Sequence, residues 1–177
     1  MSGLQPKCAV IVATVRALKM HGGGPSVVAG RPLPVEYIQE NIDLVQAGTC
    51  NLIRHIENAK KFGVHVVVAI NKFKNDTDAE IDIIRTAALN AGANDAVMTN
   101  HWAEGGAGAA KLGEAVIKAC ASTNQSFKLL YESSLSIKEK IECICKEIYR
   151  ADGVDFSDIA ERQIEQYEKS GFNHMPI

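Results

Sequence analysis

Three stretches of this 177-residue chain concentrate side chains able to bind or transform a small molecule. The first runs from Thr14 to Gly24, where Arg16, Lys19 and His21 precede Gly22, Gly23 and Gly24. Two cations and an imidazole suit an anion, and successive glycines let backbone amides approach one closely. The run can equally be a solvated turn in which glycine supplies a positive φ. It lacks the Gly-Lys-Ser/Thr ending of a P-loop. The second stretch is Asn71-Lys72-Phe73-Lys74-Asn75-Asp76-Thr77. An Asn and an Asp held at a strand end can donate to and accept from the edge of a purine. The Asn-Lys-x-Asp of guanine-nucleotide-binding proteins does this with a spacing shorter by two residues. The plainer alternative is that Asp76 or Thr77 caps the next helix. The third stretch, Asn100-His101-Trp102-Ala103-Glu104-Gly105-Gly106-Ala107-Gly108, holds the only tryptophan. No helix or strand periodicity asks for an indole there. It is either a stacking plate for a flat heteroaromatic ring or a plug tucked over a sheet edge. His101 and Glu104 could handle protons, although single residues of this kind are more often structural.

These stretches need elements to position them. Residues 8–14 and 64–70 are short apolar runs rich in β-branched side chains and without alternation, the pattern of strands buried on both faces of a parallel sheet. Residues 95–99 form a weaker third run, and residues 127–131 a candidate fourth strand. Ile38, Ile42, Val45, Thr49, Leu52, Ile56 and Ala59 recur at helical spacing between the first two strands. Gly48 interrupts that stretch and is expected to split or bend it. Thr77-x-x-Glu80 is a capping box opening a helix that ends near Gly92, and residues 108–121 read as a small-residue helix. The resulting β-α-β-α-β-α-β order predicts an α/β fold: a parallel sheet with helices on both faces. In such sheets ligands collect beyond the C-terminal strand ends, where all three stretches lie. Ser136-x-x-Glu139 and Ser157 open two further amphipathic helices, separated by a turn at Asp152-Gly153. Residues 1–132 thus read as the α/β part and 133–177 as a helical segment leading towards a further domain. Lys138, Lys140 and Lys146 read as a solvated helix face, and the long Gly/Pro-rich loop over residues 22–34 as functional or mobile.

Composition narrows the partners. A net charge of −2 gives no electrostatic reason for nucleic acid or an anionic membrane, leaving a small molecule. The five cysteines are scattered without metal-site spacing and read as reduced, mostly core thiols. On a helix, Cys143 and Cys145 point in different directions. The longest apolar run, residues 8–15, is too short to span a bilayer. Residues 1–7 lack signal- or transit-peptide character.

The motifs reach further than the composition. Val12-Ala13-Thr14-Val15-Arg16-Ala17-Leu18-Lys19-Met20-His21-Gly22-Gly23 closely resembles a signature of formate–tetrahydrofolate ligases. The resemblance continues through Glu40-Asn41, Asn51-Leu52, His55-Ile56-Glu57-Asn58, Phe62-Gly63-Val64 and Val66 to Asn71. It then covers Asp76-Thr77-x-Ala79-Glu80, Trp102-Ala103-Glu104-Gly105-Gly106, Leu130-Tyr131, Lys140-Ile141, Ile148-Tyr149-x-Ala151-Asp152 and Gly171-Phe172. It implies a reaction in which ATP, with Mg²⁺, phosphorylates formate and the formyl phosphate formylates N10 of tetrahydrofolate. The product, 10-formyltetrahydrofolate, serves one-carbon metabolism and purine biosynthesis. Activation by a monovalent cation, a P-loop-type core flanked by two smaller domains and a homo-oligomeric parent are also implied. So is a cytoplasmic location, with a mitochondrial parent as the variant.

By the same resemblance Trp102 is one side of an aromatic clamp on the pterin ring, its partner aromatic lying upstream of this chain. Asn71 and Asp76 would lie near the nucleotide base, with Gly105 and Gly106 beside the nucleotide or the reactive intermediate. Arg16, Lys19 and His21 are catalytic candidates without individual roles, and no metal ligand is assigned. The departures matter too. No Gly-x-x-x-x-Gly-Lys-Ser/Thr occurs in the 177 residues, so an internal piece, inactive by itself, is expected. Two other classes compete: a non-catalytic folate- or nucleotide-binding module, and an isoform that docks with the intact ligase.

Overall fold

A computed structural model describes residues 3–123 and 126–177, which separate into two compact units, Met1–Phe127 and Lys128–Ile177. In the first unit, β1 (Cys8–Ala13), β2 (His65–Asn71) and β3 (Asp95–Thr99) pair in parallel in the order β1-β2-β3. Ala13 lies beside Ile70 and Asn71 beside Thr99, so the C-terminal strand ends are level. The central strand is buried continuously from Val66 to Ile70. Its Val66, Val68 and Ile70 face a core built with α1 (Val15–His21), α3 (Ile42–Lys61) and α4 (Asp78–Asn90). Its Val67 faces the other way, onto Ala115 and Ala119 of α6 (Ala110–Ala121). Each such buried aliphatic side chain contributes about 1.5–3 kcal/mol of transfer free energy. The sheet is therefore parallel with helices on both faces, an arrangement shared by doubly wound folds in general. β1 is an edge strand whose Val10 and Val12 remain exposed on the α6 side.

Several sequence expectations change. Residues 15–21 are helical, not a loop: Thr14 caps the turn, its hydroxyl accepting from the Ala17 amide at 3.1 Å, while Val15 and Leu18 bury. Gly22, Gly23 and Gly24 do not present free amides. Their N–H groups donate to the carbonyls of Leu18, Met20 and Lys19 and close the end of α1. Gly48 does not split α3, which is continuous from its Asn41 cap to Lys61. The missing side chain instead lets α1 approach, since a Cβ there would meet the Leu18 carbonyl at 1.9 Å. Ile38 belongs to a separate turn, α2 (Val35–Ile38). The fourth strand over residues 127–131 does not form among the described residues. The Ser126 carbonyl packs against Gly63, just before β2, which takes the chain across the far end of the sheet. The cysteines are half-buried, except the exposed Cys50.

The second unit carries α7 (Ile137–Glu147), with the expected capping box at Ser136 and Glu139, and α8 (Asp158–Lys169), capped by Ser157. Lys140 departs from the solvated face expected of it. It is fully buried, its ammonium donating to the carbonyls of Asn173 and Met175. Lys138 pairs with Glu161 and lies over the Phe156 ring.

Candidate functional site

Because β2 and β3 are parallel neighbours with level ends, the segments that leave them must run side by side. The Lys72 amide continues the pairing one residue past β2 by donating to the Thr99 carbonyl at 3.0 Å. Beyond it a tight turn forms: the Asp76 amide donates to the Phe73 carbonyl, and the Asp76 carboxylate accepts from the Phe73 amide at 2.8 Å. Thr77 then caps α4 in a complete capping box with Glu80. The two sequence readings of this stretch therefore separate, Thr77 serving as the cap and Asp76 as the brace of the turn.

After β3 the chain makes one helical turn, α5 (His101–Glu104), and then a 3₁₀ turn, Gly105–Ala109, that leads into α6. The loop expected there is thus short and ordered. The Asn100 side-chain amide donates to Glu104 at 2.9 Å, and the Asn100 backbone amide to the Gly108 carbonyl at 3.1 Å. Gly108 is required by this fold-back, since a Cβ there would meet the Asn100 carbonyl at 2.5 Å. Gly105 takes a positive φ of 59°. Around both Gly105 and Gly106 an added Cβ would meet nothing within 4 Å, so a ligand could come close to either backbone.

Between these two strand exits lies a cavity of about 570 Å³ lined by Lys72, Phe73, Lys74, Met98, Asn100 and Trp102, together with Ala103 and Glu104. Trp102 is 87% exposed. Among the described residues its indole is not tucked over the sheet edge. The cavity has a second aromatic wall, Phe73, whereas the resemblance implied a partner aromatic upstream of this chain. The usable signal was positional. Phe73 stands two residues past the end of β2 and Trp102 three past the end of β3.

Arg16, on the N-terminal turn of α1, does not line the cavity, but its guanidinium lies 5.1 Å from the Phe73 ring centroid, a distance at which a cation is held by the ring face. Lys72 pairs with Asp78 at 2.8 Å. Asn71 and Asp76 flank the cavity without lining it. Burial pushes the Asp76 carboxyl above the usual Asp range and Glu80 pushes the same way. The Phe73 amide, Lys19 and Arg16 oppose them.

The other candidates lie elsewhere. His21 is exposed at the C-terminal end of α1, more than a helical turn from Arg16. Lys19 is 1% exposed and does not open onto the cavity; its ammonium lies 2.6 Å from Glu80 and 2.7 Å from the Gln39 carbonyl. Burial alone would raise the Glu80 carboxyl. The bonds from Lys19 and from the Asn41 and Thr77 amides outweigh that and hold it below the usual range. Among the described residues, no three His, Cys, Asp or Glu side chains are placed to hold a metal ion.

The chain's relatives bear on what such a cavity is for. A family model described as formate–tetrahydrofolate ligase matches residues 1–177. Over 176 residues the chain is 57% identical to the formate–tetrahydrofolate ligase of Spinacia oleracea, covering 99% of this chain and 28% of that protein. It is 52% identical to the cytoplasmic C-1-tetrahydrofolate synthase of Homo sapiens, again over 99% of this chain but 19% of the relative. With the mitochondrial C-1-tetrahydrofolate synthase of Schizosaccharomyces pombe the identity is 51%, over 18% of the relative's length. The chain therefore spans less than a third of these relatives, and within that span it belongs to the formate–tetrahydrofolate ligase family.

Proposed function

We propose that this chain supplies one wall of the active-site crevice of an ATP-dependent ligase that forms 10-formyltetrahydrofolate from formate and tetrahydrofolate through formyl phosphate. Its direct contribution is a seat for the pterin ring. The observation that carries this is the exposed Trp102 indole sharing one cavity with Phe73 at the exits of adjacent parallel strands. Stacking on an aromatic platform is worth about 1–3 kcal/mol per ring. Two plates on neighbouring loops also orient the ring, so that N10 is presented from one side. Arg16, stacked on Phe73, is the candidate to stabilise the negative charge of formyl phosphate as N10 attacks its carbonyl carbon. Asn71 and Asp76 are the candidates for the nucleotide base, and the open backbone at Gly105 and Gly106 for close approach of the nucleotide or the acyl phosphate. His21, being remote, has no role in this scheme.

Among the described residues no three His, Cys, Asp or Glu side chains are placed to hold a metal ion, and Mg²⁺ needs no such cage, since one or two carboxylates and the substrate phosphates hold it. The ion that accompanies ATP would take its ligands from the phosphates and from elsewhere in the longer ligase. The sequence also contains no phosphate-binding Gly-Lys-Ser/Thr loop. That favours a second reading for the chain by itself: it binds folate without turning it over.

Titration with tetrahydrofolate, followed by the emission of the single tryptophan, tests the seat. Saturable quenching is expected. Trp102→Ala in the full-length ligase should weaken folate binding by about 1–3 kcal/mol. Unchanged emission at millimolar tetrahydrofolate, or an unaltered folate KM in the variant, would remove Trp102 from the site.

A further inference from the structure

The geometry points to a positioning role for the buried Lys19–Glu80 ion pair: it ties α1 to the start of α4 and so fixes the Phe73 plate of the cavity shared with Trp102. The inference rests on the folate-seat reading and adds to it the device that holds one plate in place.

Lys19 is in no position to touch a ligand. Its side chain is 2% exposed and that of Glu80 is fully buried. Two acceptors lie within bonding distance of the ammonium, Glu80 Oε1 and the Gln39 carbonyl. Glu80 is saturated in the same way: Oε1 also accepts from the Asn41 amide at 2.8 Å, and Oε2 from the Thr77 amide at 3.1 Å. One carboxylate thus joins the end of α1, the cap of α3 and the cap of α4.

From this junction a closed chain of contacts runs to Phe73 and back. Glu80 holds the Thr77 amide, and Asp76, the next residue, braces the Phe73 amide at 2.8 Å. The Phe73 ring is covered by Arg16 at 5.1 Å. Arg16 and Lys19 are three residues apart on α1, one helical turn. The plate is therefore held at its backbone by the turn that runs into the α4 cap and at its ring from α1, and Lys19–Glu80 bonds α1 directly to α4. Neutralising the pair frees α1 to shift against α4, and Arg16 and the 73–77 turn shift with them. Small displacements of this kind lower affinity steeply.

The test is a double-mutant cycle in this chain, with tetrahydrofolate as ligand and Trp102 emission as readout. Lys19→Met is expected to weaken binding roughly tenfold, the scale of a lost positioning contact, and Lys19→Arg to restore most of it. Removing one partner of a buried pair can unfold a protein, so Lys19→Met/Glu80→Gln, which neutralises both partners, is measured alongside and should show the same loss. In a Phe73→Ala background neither change should weaken binding further, because the plate they position is gone. Binding unchanged by Lys19→Met or by the double variant, or losses that simply add to that of Phe73→Ala, would overturn the inference. An affinity untouched by Phe73→Ala itself would instead remove the two-plate reading beneath it.

Discussion

The Asp76 carboxylate braces the turn that carries Phe73 while being half-buried and within reach of another carboxylate, that of Glu80. Burial raises its folded-state pKa, which means the folded chain holds that proton more tightly than the unfolded one. The contribution to stability is then greatest below the ordinary Asp range and is lost as pH rises through the raised value. At neutral pH the charge is a cost that Lys19 and Arg16 only partly offset. Asp76→Asn keeps an acceptor for the Phe73 amide and removes the charge. It should raise the Tm at pH 7, with the gap to the parent closing as pH falls into the carboxylate range. A lower Tm at pH 7 would show that the two cations outweigh burial. Asp76 was legible from sequence as a residue type at a strand end. Phe73 was not, because its importance arises only once the pairing of Asn71 with Thr99 brings two distant loops together.

At the scale of elements, sequence reading succeeded where the signal was local and physical. The three strands, the capping boxes at Thr77 and Ser136, and the buried stripe of α3 follow directly from apolar spacing and side-chain caps. It failed where glycine and lysine carried tertiary meaning. Lys19 looked like a ligand-facing cation and Lys140 like a solvated one, yet both are buried by partners twenty or more residues away. Gly48 looked like a helix breaker, whereas it sits inside α3 to admit the α1 backbone, and Gly22 answers it, since a Cβ there would meet the Leu44 carbonyl at 2.0 Å. The consequence reverses an ordinary rule. A Gly→Ala change inside a helix normally stabilises by about 1 kcal/mol. Gly48→Ala should destabilise by about 1–3 kcal/mol, as overpacking does, read as a lowered denaturation midpoint with an unchanged m-value. A stabilised variant would mean that α1 and α3 are not in this contact.

For the whole molecule, the relatives are more than three times longer than the chain. The span described holds the cavity that Phe73 and Trp102 share, a cation against the Phe73 ring and no Gly-Lys-Ser/Thr sequence. Mixing the chain with ATP, formate and tetrahydrofolate should yield no ADP above background, and turnover would overturn the division of labour proposed here. The exposed Val10 and Val12 on β1 leave apolar surface on that edge. One further property follows from two features of the first unit. Trp102 is the sole tryptophan of the sequence, and Cys50, on the exposed side of α3, is the only cysteine classed as exposed. Burial and the neighbouring Cys120 push the Cys8 thiol up and slow its alkylation. A thiol-reactive acceptor dye should therefore load first at Cys50, and energy transfer from the native indole would report the separation of Cys50 and Trp102 in solution as a shortened donor lifetime.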